Sequence, residues 1–282
     1  MNILLLGNTG QVGFELHRTL SPLGVITAPG REALDLGSEQ AVASYLAKVQ
    51  PGLIVNAAAY TAVDAAEDNH QAAWRLNAGL PRQLAEYAAA HNARLVHYSS
   101  DYVYPGSGSQ PWQEDSPTGP LGVYGHTKCE GDQAIAQSCA DHLIFRTSWV
   151  YSARGNNFMK TMLRLAQSKR ELNIVADQVG APTPARLIAQ VSTLAIHCQL
   201  TAGLYHLAPR GETSWQGFAQ AIFQQAGCTV TAHPIPTRDY PTPAVRPLNS
   251  RLALNKLENA LSIQLPTWQS QLALTLNEYL ET

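Results

Sequence analysis

Asn2-Ile3-Leu4-Leu5-Leu6 runs straight into Gly7-Asn8-Thr9-Gly10-Gln11-Val12-Gly13, after which Val12, Leu16 and Leu20 recur at four-residue spacing. An unbroken apolar run of that length reads as a strand covered on both faces, and the stripe after it as a helix with one buried side. The glycines lie between the two. There, backbone without side chains can approach an anion closely, and the unpaired N–H groups of a helix's first turn attract negative charge. The stretch therefore reads as the pyrophosphate turn of a dinucleotide site, with Gly7, Gly10, Gln11, Val12 and Gly13 as candidate contacts. Glycines that serve only tight packing are the plainer alternative.

Outward from this unit the alternation continues. Val25-Ile26-Thr27-Ala28 reads as a strand ending at Pro29-Gly30, and Ser38 as the cap of a helix carrying Ala41, Val42, Leu46 and Val49 that stops at Pro51-Gly52. Leu53-Ile54-Val55 is a further strand, followed by an Ala-rich helical stretch from about Asp64 to Asn92. Arg94 to Tyr98 reads as strand, Tyr124 to Ala140 as helix and Leu143 to Phe145 as strand. This rhythm predicts an α/β fold, a Rossmann-like doubly wound parallel sheet, over residues 1–150, with ligands at the carboxyl ends of its strands. Beyond residue 151 Pro and Gly become frequent, as in Gly180-Ala181-Pro182-Thr183-Pro184 and Pro234 through Pro247. Helical stretches around Phe158 to Ser168, Leu187 to Cys198 and Trp215 to Ala226 separate them. Residues 151–282 are expected to form a smaller C-terminal substrate-binding lobe, with part of about 173–208 a candidate to return to the sheet.

Composition narrows the function classes. Of 282 residues 45% are apolar and 14% charged, with 19 Lys and Arg against 21 Asp and Glu, which is too apolar for disorder and too neutral to draw polyanions by field alone. Nucleic acid is not an expected partner. No apolar run reaches the roughly 18 residues of a membrane span, and Met1 to Leu6 lacks the basic flank and cleavage site of a signal peptide, so the expected location is cytoplasmic. Cys129, Cys139, Cys198 and Cys228 show no metal spacing, and the nine His residues form no H-E-x-x-H pattern, so no metal site is expected.

Three further places carry chemistry. A NAD-specific site has an acidic residue at the end of the second strand, but here Pro29-Gly30-Arg31 stands there. Arg31 can pair with a 2′-phosphate, which favours NADPH, with NADH as the alternative because Glu32 competes for the position; Asp35 and Leu36 can border the adenine. Tyr124-Gly125-His126-Thr127-Lys128 places a phenol and an ammonium one turn apart on a helix face, and a nearby cation makes a phenol a better proton donor at neutral pH. Ser100, in Ser99-Ser100-Asp101 at a strand end, can hydrogen-bond a substrate carbonyl or merely shape a turn.

The glycine turn, Asn56-Ala57-Ala58-Ala59, Ser-Ser-Asp and Tyr-x-x-x-Lys in this order resemble the extended short-chain dehydrogenase/reductase superfamily. Val55 to Asp64, Ser100-Asp101-Tyr102-Val103-Tyr104, Arg146 to Tyr151, Gly155-Asn156-Asn157-Phe158, Asp177 to Thr183, and Arg246-Pro247 with Asn249-Ser250 resemble its dTDP-4-dehydrorhamnose reductase branch. The resemblance implies reduction of the C4 ketone of a dTDP-sugar by NADPH or NADH. Tyr124 would donate the proton, Lys128 would hold the nicotinamide ribose and acidify Tyr124, and Ser100 would polarise the carbonyl. Asp101 and Trp149 would line the sugar site, and Ala59, Tyr60, Thr61 and Tyr98 would lie nearer the nicotinamide. Lys160 and Arg164, four apart, either meet the substrate's two phosphates or form a solvated face.

Two departures stand out. Ser100 occupies a position where the branch more often has Thr, which keeps the hydroxyl. Some relatives join subunits through carboxylates around a divalent cation; Glu15 is present, but Arg186 stands where they carry an acid, so a monomer or a homodimer without bridging metal is expected. Dehydratases of the superfamily carry Asp-Glu where this chain has Asp101-Tyr102. Another nucleotide-sugar reductase, an epimerase that retains NAD, and a binding subunit like the regulatory subunit of methionine adenosyltransferase remain the competing readings.

Overall fold

The structure, a computed structural model, describes residues 1–281. The chain runs β1 (Asn2–Leu6), α1 (Gln11–Thr19), β2 (Val25–Thr27), α2 (Glu39–Val49), β3 (Leu53–Asn56), α3 (Val63–Ala66), α4 (His70–Trp74), a π-helical turn Arg75–Gly79, α5 (Leu80–His91), β4 (Arg94–Ser100), α6 (Val123–Ser138) and β5 (His142–Thr147). It continues through β6 (Val150–Tyr151), α7 (Phe158–Ala166), β7 (Glu171–Val175), β8 (Val179–Gly180), β9 (Thr183–Pro184), α8 (Ala185–His197), β10 (Gly203–His206), β11 (Thr213–Ser214), α9 (Trp215–Gln225), β12 (Thr231–Ile235), β13 (Asn249–Ser250), α10 (Asn255–Leu261) and α11 (Trp268–Leu280).

Six parallel strands form the main sheet in the order β10-β5-β4-β3-β1-β2. The apolar run of β1, read as covered on both faces, is so covered. Ile3 and Leu5 join a core with Leu16, Leu20 and residues of α8, whereas Leu4 and Leu6 join another with Val42, Leu46, Leu80, Leu84 and Ile135. The strand order reverses around β1 and β3, which opens the crevice where a ligand binds such sheets. The chain returns to the large sheet at Gly203–His206, in register with Leu143–Arg146. A separate core built on Tyr151, Met159, Phe218, Phe223, Trp268 and Leu272 lies beneath the short sheets β12-β7 and β11-β8-β13.

The helix starts follow local chemistry. Ser38 accepts the Ala41 N–H as the α2 cap, Asn157 caps α7 through Lys160, and Ser214 caps α9 through Gly217. The Ala-rich stretch departs from the single helix expected of it. It breaks at Asp68-Asn69, where the Asn69 amide donates back to the Ala65 carbonyl, and widens into the π turn before α5. Pro81 has no N–H to give the Asn77 carbonyl, so the regular ladder lapses one turn ahead of it.

Candidate functional site

The glycine turn meets the end of β3 at the reversal point. Gly7 has φ +80°, and a Cβ there would come within 2.6 Å of the Ala57 carbonyl carbon, so both the conformation and the contact require glycine. A Cβ on Gly13 would lie 2.1 Å from the Gly7 carbonyl oxygen, which fixes how closely α1 follows the turn. Gly10 precedes α1 without capping it by a side chain, and no acid lies in the first turn, so the first N–H groups remain available to an anion. The Asn8 amide donates to the Ala28 carbonyl (3.0 Å) and holds the turn to the end of β2. Gln11 accepts from Asn157 (2.9 Å), tying α1 to the start of α7, and Val12 packs on the core. These residues fit a dinucleotide pyrophosphate.

Past β2, Arg31 and Glu32 are exposed on the turn in which the Gly30 carbonyl accepts the Ala33 and Leu34 N–H groups. Among the described residues no salt bridge engages either Arg31 or Glu32. Asp35 accepts the Gly37 N–H, Leu36 is half-buried, and Arg75 donates to the Gly37 carbonyl. Ala59, Tyr60 and Thr61 line the loop after β3. This loop is held by Asn77, whose side chain accepts the Tyr60 N–H (2.8 Å) and donates to the Tyr60 carbonyl (3.1 Å) and to Thr127 of α6 (3.2 Å). Asn77 belongs to the π turn, and its three bonds fasten that turn to both walls of the crevice.

At the end of β4, the Ser100 hydroxyl donates to Asp101 (3.1 Å) and accepts the Tyr102 N–H (3.2 Å), and the Tyr124 phenol lies beside it. Crowding by surrounding atoms pushes the Tyr124 phenol above its ordinary range, and the nearby Ser100 hydroxyl works the other way. Burial raises the Asp101 carboxyl to about 6, with the bond from Ser100 working against it. Tyr102 stands edge-on to the Tyr124 ring at 5.4 Å. Tyr102 is also within 3.4 Å of Arg246, which is ion-paired to Asp64 at 2.6 Å. Tyr98 faces elsewhere: its phenol donates to Ser192 of α8 within the core, and its carbonyl accepts from Lys128.

Lys128 is buried on α6. Its amine meets the Tyr98 carbonyl at 2.5 Å and His97 Nε2 at 3.2 Å, and burial lowers it to about 8 although Asp132 opposes this. Asp132, one turn further along α6, accepts from Ser99 and from Arg146 Nε, both at 2.9 Å. Trp149 lies in the left-handed region at φ 50° and stacks on Trp215 with ring centroids 3.7 Å apart. Lys160 and Arg164 lie on α7, with the Lys160 amine over the Tyr279 ring and Arg164 exposed. Reading the sequence alone missed His97, Asn77, Asp132 and Trp215. For Asp132 the signal was available, since it continues the four-residue spacing of Tyr124 and Lys128.

Residues 1–281 match the family model described as the RmlD substrate binding domain. The chain is 46% identical to the dTDP-4-dehydrorhamnose reductase of Shigella flexneri, over all of this chain and 99% of that one. The chain belongs to the dTDP-4-dehydrorhamnose reductase family. A solved family structure, from Clostridium acetobutylicum, superposes with a TM-score of 0.95 at 33% identity, over the whole of both chains. Another, the Bacillus anthracis enzyme in complex with NADP, gives 0.93 at 33% identity over 98% of each chain. Within this family the crevice between the Gly7–Gly13 turn and the Ser100–Tyr124 pair is the candidate active site.

Proposed function

We propose that this chain reduces the C4 ketone of dTDP-4-dehydro-L-rhamnose to dTDP-L-rhamnose with NADPH, NADH being the second candidate donor. The observation that carries the reading is the pair of neighbouring hydroxyls, Ser100 and Tyr124, at the carboxyl edge of β4, beside the reversal point of the sheet. Gly7, Gly10, Gln11, Val12 and Gly13 would hold the pyrophosphate, and Arg31, without an ion-pair partner among the described residues, suits a 2′-phosphate. Asp35 and Leu36 would border the adenine, Ala59, Tyr60 and Thr61 the nicotinamide side, and Lys128 the ribose. The bound dinucleotide supplies the hydride that reduces C4. As charge grows on the C4 oxygen, the Ser100 and Tyr124 hydroxyls face it as donors, and Tyr124 gives up its proton to leave an alcohol. A phenol held well above neutral pH keeps that proton until an alkoxide, a far stronger base, is there to take it.

Asp101 and Trp149 would line the sugar. The stack of Trp149 on Trp215 fixes one wall of that space with little side-chain freedom left to lose. Residues 151–282, apart from the return to the sheet at β10, would form the substrate lobe, and the Arg246–Asp64 bridge would latch it to the loop after β3. The test mixes the protein with NADPH and dTDP-4-dehydro-L-rhamnose and follows loss of reduced-cofactor absorbance. Tyr124→Phe is expected to lose about 10²–10⁴-fold in kcat with cofactor affinity kept. An inert wild type, or a variant that matches it, overturns the reading.

A further inference from the structure

His97 sits in the middle of β4, fully buried between Asn56 of β3 and Lys128 of α6. Which of its ring nitrogens carries the proton follows from its neighbours. The Ala58 backbone N–H can only donate, and it lies 3.2 Å from Asn56 Oδ1, so the oxygen end of that amide faces Ala58. The amide's NH2 end therefore faces His97 Nδ1 at 3.1 Å, and Nδ1 must offer a lone pair. Burial keeps the ring neutral by pulling its pKa well below the ordinary value. A neutral imidazole with a bare Nδ1 carries its proton on Nε2, the nitrogen 3.2 Å from Lys128 Nζ. An ammonium offers only N–H groups, so this contact is a hydrogen bond only when Lys128 is an amine with a free lone pair. The Tyr98 carbonyl at 2.5 Å then takes one of the amine's own hydrogens.

We propose that His97 is a positioning residue that presents an N–H, not a lone pair, to Lys128, so that the lysine stands as a neutral amine in this arrangement and gains its proton only as His97 gives up the contact. The proton comes from solvent, and His97 stays neutral throughout. Other groups around the pair do not supply the same control. Asp132 on α6 favours the charged lysine but is itself committed to Arg146 and Ser99. Asp101, Tyr102 and Tyr124 gather around Ser100. Glu67 accepts the first N–H of α6, and Arg75 turns away to Gly37 and Gln83. A lysine that holds a ribose needs its charge, so the Asn56–His97 pair sets how far the alkaline side of the activity profile extends.

The test is long-range proton–nitrogen NMR on enzyme with nitrogen-labelled histidine, with His97 assigned by comparison with His97→Gln. In the wild type above the lysine's titration, Nε2 is expected to be protonated and Nδ1 bare. In Asn56→Leu, which removes the donor without adding charge, the ring proton is expected to move to Nδ1. The alkaline limb of kcat/KM is then expected to rise by about one pH unit as Nε2 becomes an acceptor for the ammonium. A wild-type proton on Nδ1 overturns the proposal, as does an Asn56→Leu enzyme whose rate falls equally at every pH with the limb unmoved. If Asn56→Leu fails to fold, the wild-type spectrum decides alone. The kinetic arm rests on the reductase reading and the spectroscopic arm does not, so an enzyme inert toward the keto-sugar overturns that reading while the tautomer is still read.

Discussion

Asp132→Asn removes one charge from the ion pair that fastens α6 to the sheet. The Asp132 carboxylate lies 2.9 Å from Arg146 Nε, with side-chain exposures of 3% and 6%, and it also accepts the Ser99 hydroxyl. Arg146 reaches on to the Tyr104 hydroxyl at 2.7 Å, which lies 2.6 Å from His206 Nε2. The network leaves the guanidinium no route to water when its carboxylate goes. Removing one partner of a buried pair costs about 3–5 kcal/mol, most of it the uncompensated charge left behind. With a urea m-value of roughly 3 kcal/mol per molar for a chain this long, the unfolding midpoint falls by about 1 M or more. Asp132→Asn with Arg146→Met removes both charges and is expected to lose less than the sum of the single variants. The same carboxylate favours protonated Lys128, so Asp132→Asn also draws the alkaline limb of activity to lower pH. A single variant within about 1 kcal/mol of wild type, or a double variant as unstable as the sum, refutes the reasoning.

Gly13→Ala puts a methyl into the Gly7 carbonyl oxygen, and is expected to weaken NADPH binding at least tenfold in calorimetry while Tyr124→Phe leaves it unchanged. Lys128, held at about 8, should make kcat/KM fall as pH rises through that value, since the charged form is the one proposed to hold the ribose; a profile flat to pH 10 contradicts this. Asp101 titrates at about 6 folded against an ordinary 3.8, so the folded state binds more protons between these values and its carboxyl costs stability as pH rises through the window. Asp101→Asn is therefore expected to gain on wild type in denaturant midpoint from pH 3.8 to 6 and to hold that gain above it.

The parts of the fold that could be read from the sequence are those whose cause is local. The apolar run Asn2–Leu6 needs cover on both faces wherever it lies, Gly7 needs a left-handed backbone, and Ser38 can cap only the helix it precedes. The parts that could not be read depend on partners distant in the chain. Asn77 looks like one polar residue in an Ala-rich helix, and its purpose is set by Tyr60 and by Thr127, 50 residues on. His97 reads as a strand residue, because periodicity places it on a face but cannot say that Asn56 and Lys128 meet it there. The two-residue strands β6, β8, β9, β11 and β13 carry too little pattern to be seen at all. Tyr124 and Lys128 were visible as neighbours on one helix face, but the direction of the lysine amine, toward His97 and the Tyr98 carbonyl, is a property of the packed sheet beneath them.

The same distinction governs the cluster around Arg186. Its guanidinium donates to both oxygens of buried Glu15 at 3.1 and 3.2 Å and to Glu278 at 2.8 Å, so helices α1, α8 and α11 meet around one cation. Two carboxylates brought together in this way repel unless a positive charge lies between them, and a side chain supplies that charge without being drawn from solution. Chelation should then leave the wild-type melting temperature and sedimentation coefficient where they are, and added magnesium should change neither. Arg186→Gln takes the cation away; because Arg186 is nearly half exposed, screening limits the loss to about 1 kcal/mol. In that variant alone, magnesium is expected to restore part of the melting temperature. A wild-type protein that loses several degrees on chelation would show that the guanidinium does not satisfy these carboxylates.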